Sequence, residues 1–171
     1  MSKIGLFVGS QTGKTEAAAE EIQAGLGGDD VVTIHKIEDT ENSDFDKYEN
    51  IIIGCPTWDI GELQADWDGY FEELDNINFS GKKIAYFGTG DQEGYPDNFM
   101  DAIGIIEAKI SELGGTTVGQ WPKTEEYEFN ESKALKNGKF IGLALDDDNQ
   151  SELTEQRIKT WVTQLKQEFG V

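Results

Sequence analysis

Apolar runs and amphipathic patterns alternate along the chain. Short apolar runs typical of buried strands lie near residues 3–9, 31–36, 49–55 and 82–88, and a fifth strand is split between 116–121 and 139–143. Patterns with the 3.6-residue period of a helix lie near residues 14–26, 63–74, 98–113 and 152–168. This alternation predicts an α/β fold in which a five-stranded parallel sheet is covered by helices on both faces.

Two segments depart from this alternation. Residues 38–49 are mostly polar and acidic, which predicts a loop or a short turn of helix in place of a long second crossover helix. Residues 122–138 interrupt the fifth strand with a polar loop that carries Tyr127 and Phe129. No repeat or linker divides the chain, so we expect a single domain over residues 1–171.

The first strand is followed by a turn rich in hydroxyl groups and glycine. From residue 4 the sequence reads I-G-L-F-V-G-S-Q-T-G-K-T, and a helical pattern begins at Thr15. Backbone N–H groups without partners and the helix dipole favour a bound anion at such a helix start. Ser10, Thr12 and Thr15 add hydroxyl donors. The turn therefore predicts a phosphate-binding site, although a well-capped helix is the simpler alternative.

A nucleotide-binding P-loop is a second alternative for this turn. Gly13-Lys14-Thr15 supplies the second half of the pattern G-x-x-x-x-G-K-[ST]. Val8 stands where the first glycine of that pattern should be, and the third strand runs into Cys55-Pro56 instead of a magnesium-binding acid. The spacing thus argues against a site that hydrolyses nucleoside triphosphates.

Loops with one large aromatic residue each follow the third and fourth strands. The first is P-T-W-D-I-G with Trp58, and the second is G-T-G-D-Q-E-G-Y-P-D-N-F with Tyr95. In open α/β sheets, ligands bind beyond the carboxyl ends of the strands. Either aromatic alone could fold onto the core. Together with the phosphate turn at the same sheet edge, they predict a flat aromatic ligand held between two rings.

The phosphate turn and the two aromatic loops resemble motifs of a known family. The segments G-S-Q-T-G-K-T, C-P-T-W-D-I-G-E-L-Q-x-D-W and F-G-T-G-D-Q-E-G-Y-P-D-N-F resemble the three flavin loops of flavodoxins. The segment S-K-A-L-K-N-G-K-F-I-G-L-A-L-D-D-D-N-Q resembles the long-chain, cyanobacterial and algal type. The resemblance covers essentially the whole chain. It implies a flavodoxin-like three-layer αβα fold with strand order 2-1-3-4-5, a split fifth strand and non-covalent FMN, an arrangement of which flavodoxins are themselves a standard example.

The resemblance also implies which residues bind FMN. By this resemblance, the FMN phosphate is bound mainly by backbone N–H and hydroxyl groups of Ser10, Gln11, Thr12, Gly13, Lys14 and Thr15. The isoalloxazine lies between Trp58 and Tyr95, within a loop of Pro56, Thr57, Trp58, Asp59, Ile60 and Gly61. The polar edge of the ring is expected to contact the backbone around Thr89, Gly90, Asp91, Asn98 and Phe99. The ribityl chain is expected to lie near Asp148. Catalytic and metal-binding residues are not expected.

Two positions depart from the family pattern. Asp59 stands where asparagine is common, and Val8 stands where an aromatic residue often precedes the phosphate turn. The family uses the backbone carbonyl at position 59 to accept a hydrogen bond from N5 of the reduced flavin, with Gly61 easing the peptide motion. Asp59 keeps that carbonyl. Its carboxylate adds negative charge beside a ring that is already anionic when fully reduced.

The implied function is a low-potential one-electron carrier that shuttles between semiquinone and hydroquinone, and not an enzyme. The resemblance implies transfer from photosystem I, or another low-potential donor, to ferredoxin-NADP reductase or a similar acceptor. Thirty-four acidic against fourteen basic residues give a formal net charge of −20. This charge disfavours nucleic acid and anionic membranes as partners. We expect a monomer that docks basic proteins through Asp66, Asp68 and Glu72.

Cysteine and histidine are scarce in this sequence. Cys55 is the single cysteine, which excludes an internal disulfide and sites built from several cysteines. His35 is the single histidine, so a multi-histidine metal centre is excluded as well. No apolar run approaches membrane-spanning length. We expect a soluble protein of the reducing cytoplasm.

Two other functions are possible on a similar fold. An FMN-dependent quinone or nitro reductase needs room for a substrate over the flavin, which the two aromatic rings are expected to cover. A phosphoacceptor receiver domain needs acids after the first strand and an aspartate after the third. The sequence has Gly9-Ser10 and Cys55-Pro56 at those places instead.

Overall fold

The computed structural model describes residues 3–9, 13–58 and 60–171. The elements in chain order are β1 (Ile4–Val8), α1 (Lys14–Leu26), β2 (Val32–Lys36), α2 (Asn42–Phe45), β3 (Asn50–Gly54), β4 (Thr57–Trp58), β5 (Glu62–Leu63), α3 (Ala65–Tyr70), β6 (Lys83–Thr89), α4 (Asp101–Glu112), β7 (Thr116–Thr117), β8 (Trp121–Pro122), β9 (Leu135–Lys136), β10 (Lys139–Phe140), β11 (Leu143–Leu145) and α5 (Asp147–Phe169). Short 3-10 helices span Ile37–Asp39 and Phe71–Asn76.

A parallel sheet forms the centre of the structure. Its strands lie in the order β11-β6-β3-β1-β2, and β7 also pairs with β6. Since β11 and β7 together occupy the place of a fifth strand, the predicted order 2-1-3-4-5 with a split last strand is confirmed. The apolar runs correspond to strands that are buried throughout β1 and over the apolar part of β3.

Helices cover the two faces of the sheet. Alternate residues of β6 show this, because successive side chains of a strand point to opposite faces. Phe87 packs beside Trp161 of α5, with ring centroids 6.2 Å apart. A Cβ atom on the next residue, Gly88, would lie 3.1 Å from the side chain of Ile103 in α4. Helices α4 and α5 therefore lie on opposite sides, which gives the predicted three layers.

The helix limits differ from the prediction in three places. The predicted helix 63–74 is an α-helix only to Tyr70, and a 3-10 helix continues it. The third predicted helix begins at Asp101, not at 98, and α5 begins at Asp147 with a break at Gln150 instead of starting at 152. Within residues 38–49, the short α2 matches the predicted turn of helix. No helix of the described ranges is long and apolar enough to cross a membrane.

The insert, residues 122–138, is not the plain polar loop that the sequence predicts. Together with its flanking residues it forms a small antiparallel sheet in the order β8-β10-β9. The parts of the predicted fifth strand at 121 and 139–140 belong to this small sheet, whereas β7 and β11 pair with β6. Aromatic packing explains the difference. Tyr127 is buried, and its ring lies 5.0 Å from Phe140 and 5.9 Å from Phe99.

The single histidine lies on β2 within an aromatic cluster. The ring of His35 stacks on Phe7 at 4.7 Å, and His35 Nε2 lies 2.8 Å from the hydroxyl oxygen of Tyr48. Partial burial lowers the pKa of His35 below its ordinary value of 6.5. The folded state therefore favours the neutral imidazole, and the unfolded chain takes up a proton at higher pH than the folded protein does.

His35 should make stability depend on pH in a defined window. Because its folded pKa is depressed, its contribution is present above pH 6.5 and is lost as pH falls through the folded pKa. The free energy of unfolding of wild type minus that of His35→Asn should decrease as the pH falls from about 7.5 to about 5. The carboxylates titrate in both proteins, so their effect cancels in this difference. Urea unfolding at each pH measures this difference. A difference that is constant over the range would contradict the assignment.

Candidate functional site

A cleft of about 240 Å³ opens beyond the carboxyl ends of the central strands. Its lining combines residues from the predicted phosphate turn, from both aromatic loops and from the start of α5: Lys14, Pro56, Thr57, Trp58, Thr89, Gly90, Asp91, Tyr95, Asp147 and Asp148. All of these except Asp147 were predicted from the sequence. Asp147 was missed because nothing in the local sequence of the acidic run Asp146-Asp147-Asp148 shows which of the three lines the cleft. The structure thus places three distant sequence motifs around one cleft.

The phosphate turn meets the cleft at the start of α1. Gly13 precedes Lys14, the first residue of the helix, so the turn ends at a helix N-terminus as predicted. Ser10, Gln11 and Thr12 lie outside the described residues. Thr15 is buried, and its Oγ1 lies 3.0 Å from Oγ1 of Thr89 at the end of β6. This hydrogen bond joins the first turn of α1 to the strand that leads into the Tyr95 loop.

The one basic residue of the turn is paired within the protein. Lys14 Nζ donates to Asp148 Oδ1 at 2.7 Å, and both side chains are about half exposed. The hydrogen bond to Asp148 raises the pKa of Lys14, so the lysine stays charged. Because the carboxylate offsets much of this charge, a phosphate at the turn depends mainly on neutral donors. Asp148 itself lines the cleft, beside Asp147.

Trp58 is held by a short hairpin. Residues Thr57 and Trp58 of β4 pair with Leu63 and Glu62 of β5. The Trp58 side chain is half buried, and its Nε1 is buried without a hydrogen-bond partner among the described residues. A buried donor left unsatisfied costs about 1–3 kcal/mol. Because this atom has almost no exposed surface, it faces the protein and not the open cleft.

The same loop is fixed against α4. Thr57 Oγ1 accepts a hydrogen bond from the backbone N–H of Ala102 at 3.0 Å. Gly61 has a positive φ of 88°, and a Cβ atom there would lie 2.7 Å from Asp101 Oδ2. Ile60 is 71% exposed. Neither Ile60 nor Gly61 lines the cleft, and Asp59 lies outside the described part of the chain.

The loop that carries Tyr95 is closed by a side-chain turn. Asp91 Oδ1 accepts from the backbone N–H groups of Glu93 at 3.2 Å and Gly94 at 2.7 Å, and from Asn149 Nδ2 at 2.8 Å. The bond from Gly94, followed by that from Asn149, lowers the pKa of Asp91. A Cβ atom at Gly94 would lie 2.4 Å from Asp91 Oδ2, so a larger residue would displace the carboxylate that closes the turn. Tyr95 remains 41% exposed.

Asn98 and Phe99 are not brought into the cleft. The backbone N–H of Asn98 donates to Tyr95 O at 3.2 Å, and that of Phe99 donates to Glu131 O at 3.3 Å. The Phe99 ring is buried against the aromatic residues of the insert. The contact of these two residues with a ring edge stays a prediction.

Cys55 lies directly after β3, near the cleft-lining Pro56. It is fully buried, and burial raises the pKa of its thiol to about 12. The thiol is therefore protonated at neutral pH. This environment does not provide an activated nucleophile.

The sequence matches a family of known proteins. The flavodoxin family model matches residues 6–161 of the chain. The chain belongs to the flavodoxin family. It is 69% identical to a flavodoxin of Trichodesmium erythraeum over the full length of both chains. It is 63% identical to a flavodoxin of Nostoc sp. strain PCC 7120, covering 99% of this chain and 98% of the relative.

A solved flavodoxin has the same overall structure. The crystal structure of Fusobacterium nucleatum flavodoxin bound to flavin mononucleotide matches with a TM-score of 0.91 and 34% identity, covering 99% of each chain. The insert between the two halves of the last strand agrees with the long-chain type of flavodoxin that the sequence indicates. The resemblance noted from the three motifs is thus confirmed.

Two glycines of this flavodoxin should respond oppositely to alanine. Gly61→Ala should lower the free energy of unfolding by about 1–3 kcal/mol, because of its positive φ and the close Asp101 carboxylate. Gly69→Ala is the matched control, since Gly69 lies in helix α3 with open space around its Cβ position. It should raise stability by about 0.5–1 kcal/mol. Urea midpoints measure both, and equal shifts would contradict this description of the loop.

Proposed function

We propose that this flavodoxin is a low-potential, one-electron carrier that holds non-covalent FMN and works as a single domain. The observation that carries the proposal is the convergence of α1's N-terminus, Trp58 and Tyr95 on one cleft. A helix N-terminus suits a phosphate, and two aromatic side chains suit a flat ring. Electron transfer needs no acid–base pair or nucleophile from the protein.

The residues present fit FMN. Trp58 and Tyr95 offer two aromatic side chains to the cleft, and the Lys14–Asp148 pair leaves phosphate binding mainly to neutral groups. We assign the phosphate to Ser10, Gln11, Thr12, Gly13, Lys14 and Thr15. We assign the ring and its edge to Pro56, Thr57, Trp58, Asp59, Ile60, Gly61, Thr89, Gly90, Asp91, Tyr95, Asn98 and Phe99, and the ribityl chain to Asp148.

Bound FMN supplies the one-electron redox chemistry, and the protein sets its energy. Asp91, Asp147 and Asp148 line the cleft, and Lys14 is the one basic residue among the described residues that line it. These carboxylates oppose the negative charge that arrives with an electron. For a one-electron step, a penalty of about 1.4 kcal/mol lowers the potential by roughly 59 mV. The partly exposed Tyr95 keeps the ligand's edge close to the surface, where another protein could reach it.

We further propose that the partners are basic redox proteins, with ferredoxin-NADP reductase as an acceptor and photosystem I as a donor. The supporting observation is an acidic surface on α3 and the following 3-10 helix, formed by Asp66, Asp68 and Glu72. Asp68 and Glu72 are exposed. Asp66 is partly buried, and its carboxylate accepts a hydrogen bond from Gln64 Nε2. That the protein is a monomer and is located in the cytoplasm stays a prediction.

Stepwise reduction tests the proposed function. The protein loaded with FMN at one equivalent should show two one-electron steps in a potentiometric titration, with the second at low potential. NADPH alone should not be consumed steadily, and adding a ferredoxin-NADP reductase should start reduction. Steady NADPH oxidation without a reductase would favour the FMN-dependent reductase alternative. Failure to bind FMN would overturn the proposal.

Salt dependence tests the partner surface. At low salt, the variant Asp68→Asn with Glu72→Gln should associate with the reductase about 2–10 times more slowly than wild type, because steering by surface charge is reduced. The difference should vanish as added salt shortens the Debye length below about 10 Å. Stopped-flow measurement gives these rates.

A matched control separates steering from total charge. Asp29→Asn with Asp30→Asn also removes two exposed charges, but these residues lie just before β2, at the opposite end of the sheet from the cleft. That variant should associate at nearly the wild-type rate. Equal slowing in both variants would show that net charge alone acts, and would refute a docking role for Asp68 and Glu72.

A further inference from the structure

Gln92 is buried in the loop between β6 and α4, next to the cleft-lining Asp91. It is only 3% exposed, which is uncommon for glutamine. Its backbone N–H and its Nε2 donate to Asp146 Oδ2 at 3.1 and 2.8 Å. Its Oε1 accepts from the backbone N–H of Glu128 at 2.6 Å. One side chain thus contacts both the start of α5 and the insert.

Asp146 is the first of the two anchors of Gln92. Its carboxylate is fully buried at the junction of β11 and α5, and it caps α5 by accepting from the backbone N–H of Asn149 at 3.0 Å. Asn149 Nδ2 also donates to Asp146, at 2.9 Å, and to Asp91 at 2.8 Å. Amide donors therefore satisfy this buried charge. Each of them matters, because an unsatisfied charged group inside a protein is costly.

The insert is the second anchor. Besides the Glu128–Gln92 bond, the backbone N–H groups of Asn130 and Glu131 donate to Pro96 O at 2.7 and 3.0 Å. Glu131 O in turn accepts from Phe99 N. The insert consequently runs along the loop that carries Tyr95. This loop is held on one side by Asp146 and on the other by the insert.

We propose that Gln92 is a positioning residue for the Tyr95 side of the cleft. It fixes the loop of Asp91 and Tyr95 against Asp146 and the insert, and so pre-organises the place where the ligand's ring binds. Gln92 itself does not line the cleft. The inference rests on the proposed function in one respect, since it takes the ligand to be a flavin.

Binding of three probes to the apoprotein tests this role. Gln92→Ala should weaken riboflavin and FMN by the same factor, about tenfold for the loss of one hydrogen bond to the Asp146 carboxylate and one from the backbone of Glu128. Inorganic phosphate, which we assign to the turn at α1, should bind as it does to wild type. The visible circular dichroism of bound FMN should also change, because the ring is held differently. Gln156→Ala is the control, since Gln156 is an exposed glutamine on α5.

A second variant covers the case in which Gln92→Ala does not fold. Gln92→Glu keeps an acceptor for Glu128 but replaces the Nε2 donor by a carboxylate facing Asp146. Riboflavin binding should be weak at pH 8 and should recover toward wild type at about pH 5, where a protonated Glu side chain can donate again. A pH profile parallel to that of wild type would overturn the proposal.

The outcomes separate this inference from the proposed function. Wild-type protein that binds neither FMN nor riboflavin overturns both. If wild type binds both flavins and the Gln92 variants bind them equally well with an unchanged dichroism spectrum, the proposal for Gln92 alone fails. A loss of phosphate binding equal to the loss of riboflavin binding would also overturn it, because Gln92 would then act only on overall stability.

Discussion

The parallel register of β1, β3 and β6 is the constraint on which the cleft depends. Val8 lies beside Gly54, and Gly54 lies beside Phe87, so these strands end at the same edge of the sheet. After β3 and β6 the chain leaves the central sheet, and the loop after β3 forms its own short hairpin of β4 and β5. Residues far apart in sequence, such as Lys14, Trp58 and Tyr95, therefore surround one space. A shift of one residue in any pairing would exchange the side chains of the two buried faces and move these loops relative to one another.

Irregular backbone at this edge must satisfy its own polar groups, and side chains contribute to this beside backbone–backbone bonds such as that from Gly90 N–H to Leu145 O. Thr57 accepts from the first turn of α4, and Asp91 closes the Tyr95 turn. In a protein of net charge −20, basic residues are too few to pair with every acid. Amide donors take that role at Asp146. Polar side chains thus hold the loops of the site without adding positive charge, which suits a carrier of low potential.

The sequence was sufficient to predict the features that depend on local pattern. Buried strands such as β1 and β3 appear as apolar runs, and glycine, hydroxyl and aromatic residues after those strands indicated which loops form the cleft. The small sheet of the insert could not be predicted in this way, because it depends on Tyr127 packing against Phe99 and Phe140. Gln92 was missed for the same reason. Its partners lie 54 and 36 positions away, and a buried glutamine has no periodic signal.

The two aromatic side chains of the cleft are held by different means, and this difference bears on their roles. Trp58 lies on a hairpin whose backbone is fixed by strand pairing and by the Thr57–Ala102 hydrogen bond. Tyr95 lies on a loop without strand pairing, so its position depends on Asp91, Gln92 and the insert behind them. The long-chain insert is distant in sequence from both. Because it contacts this loop at Pro96 and Gln92, its packing is transmitted directly to the Tyr95 side, whereas it reaches the Trp58 side through α4, where the backbone N–H of Lys133 donates to Asp101.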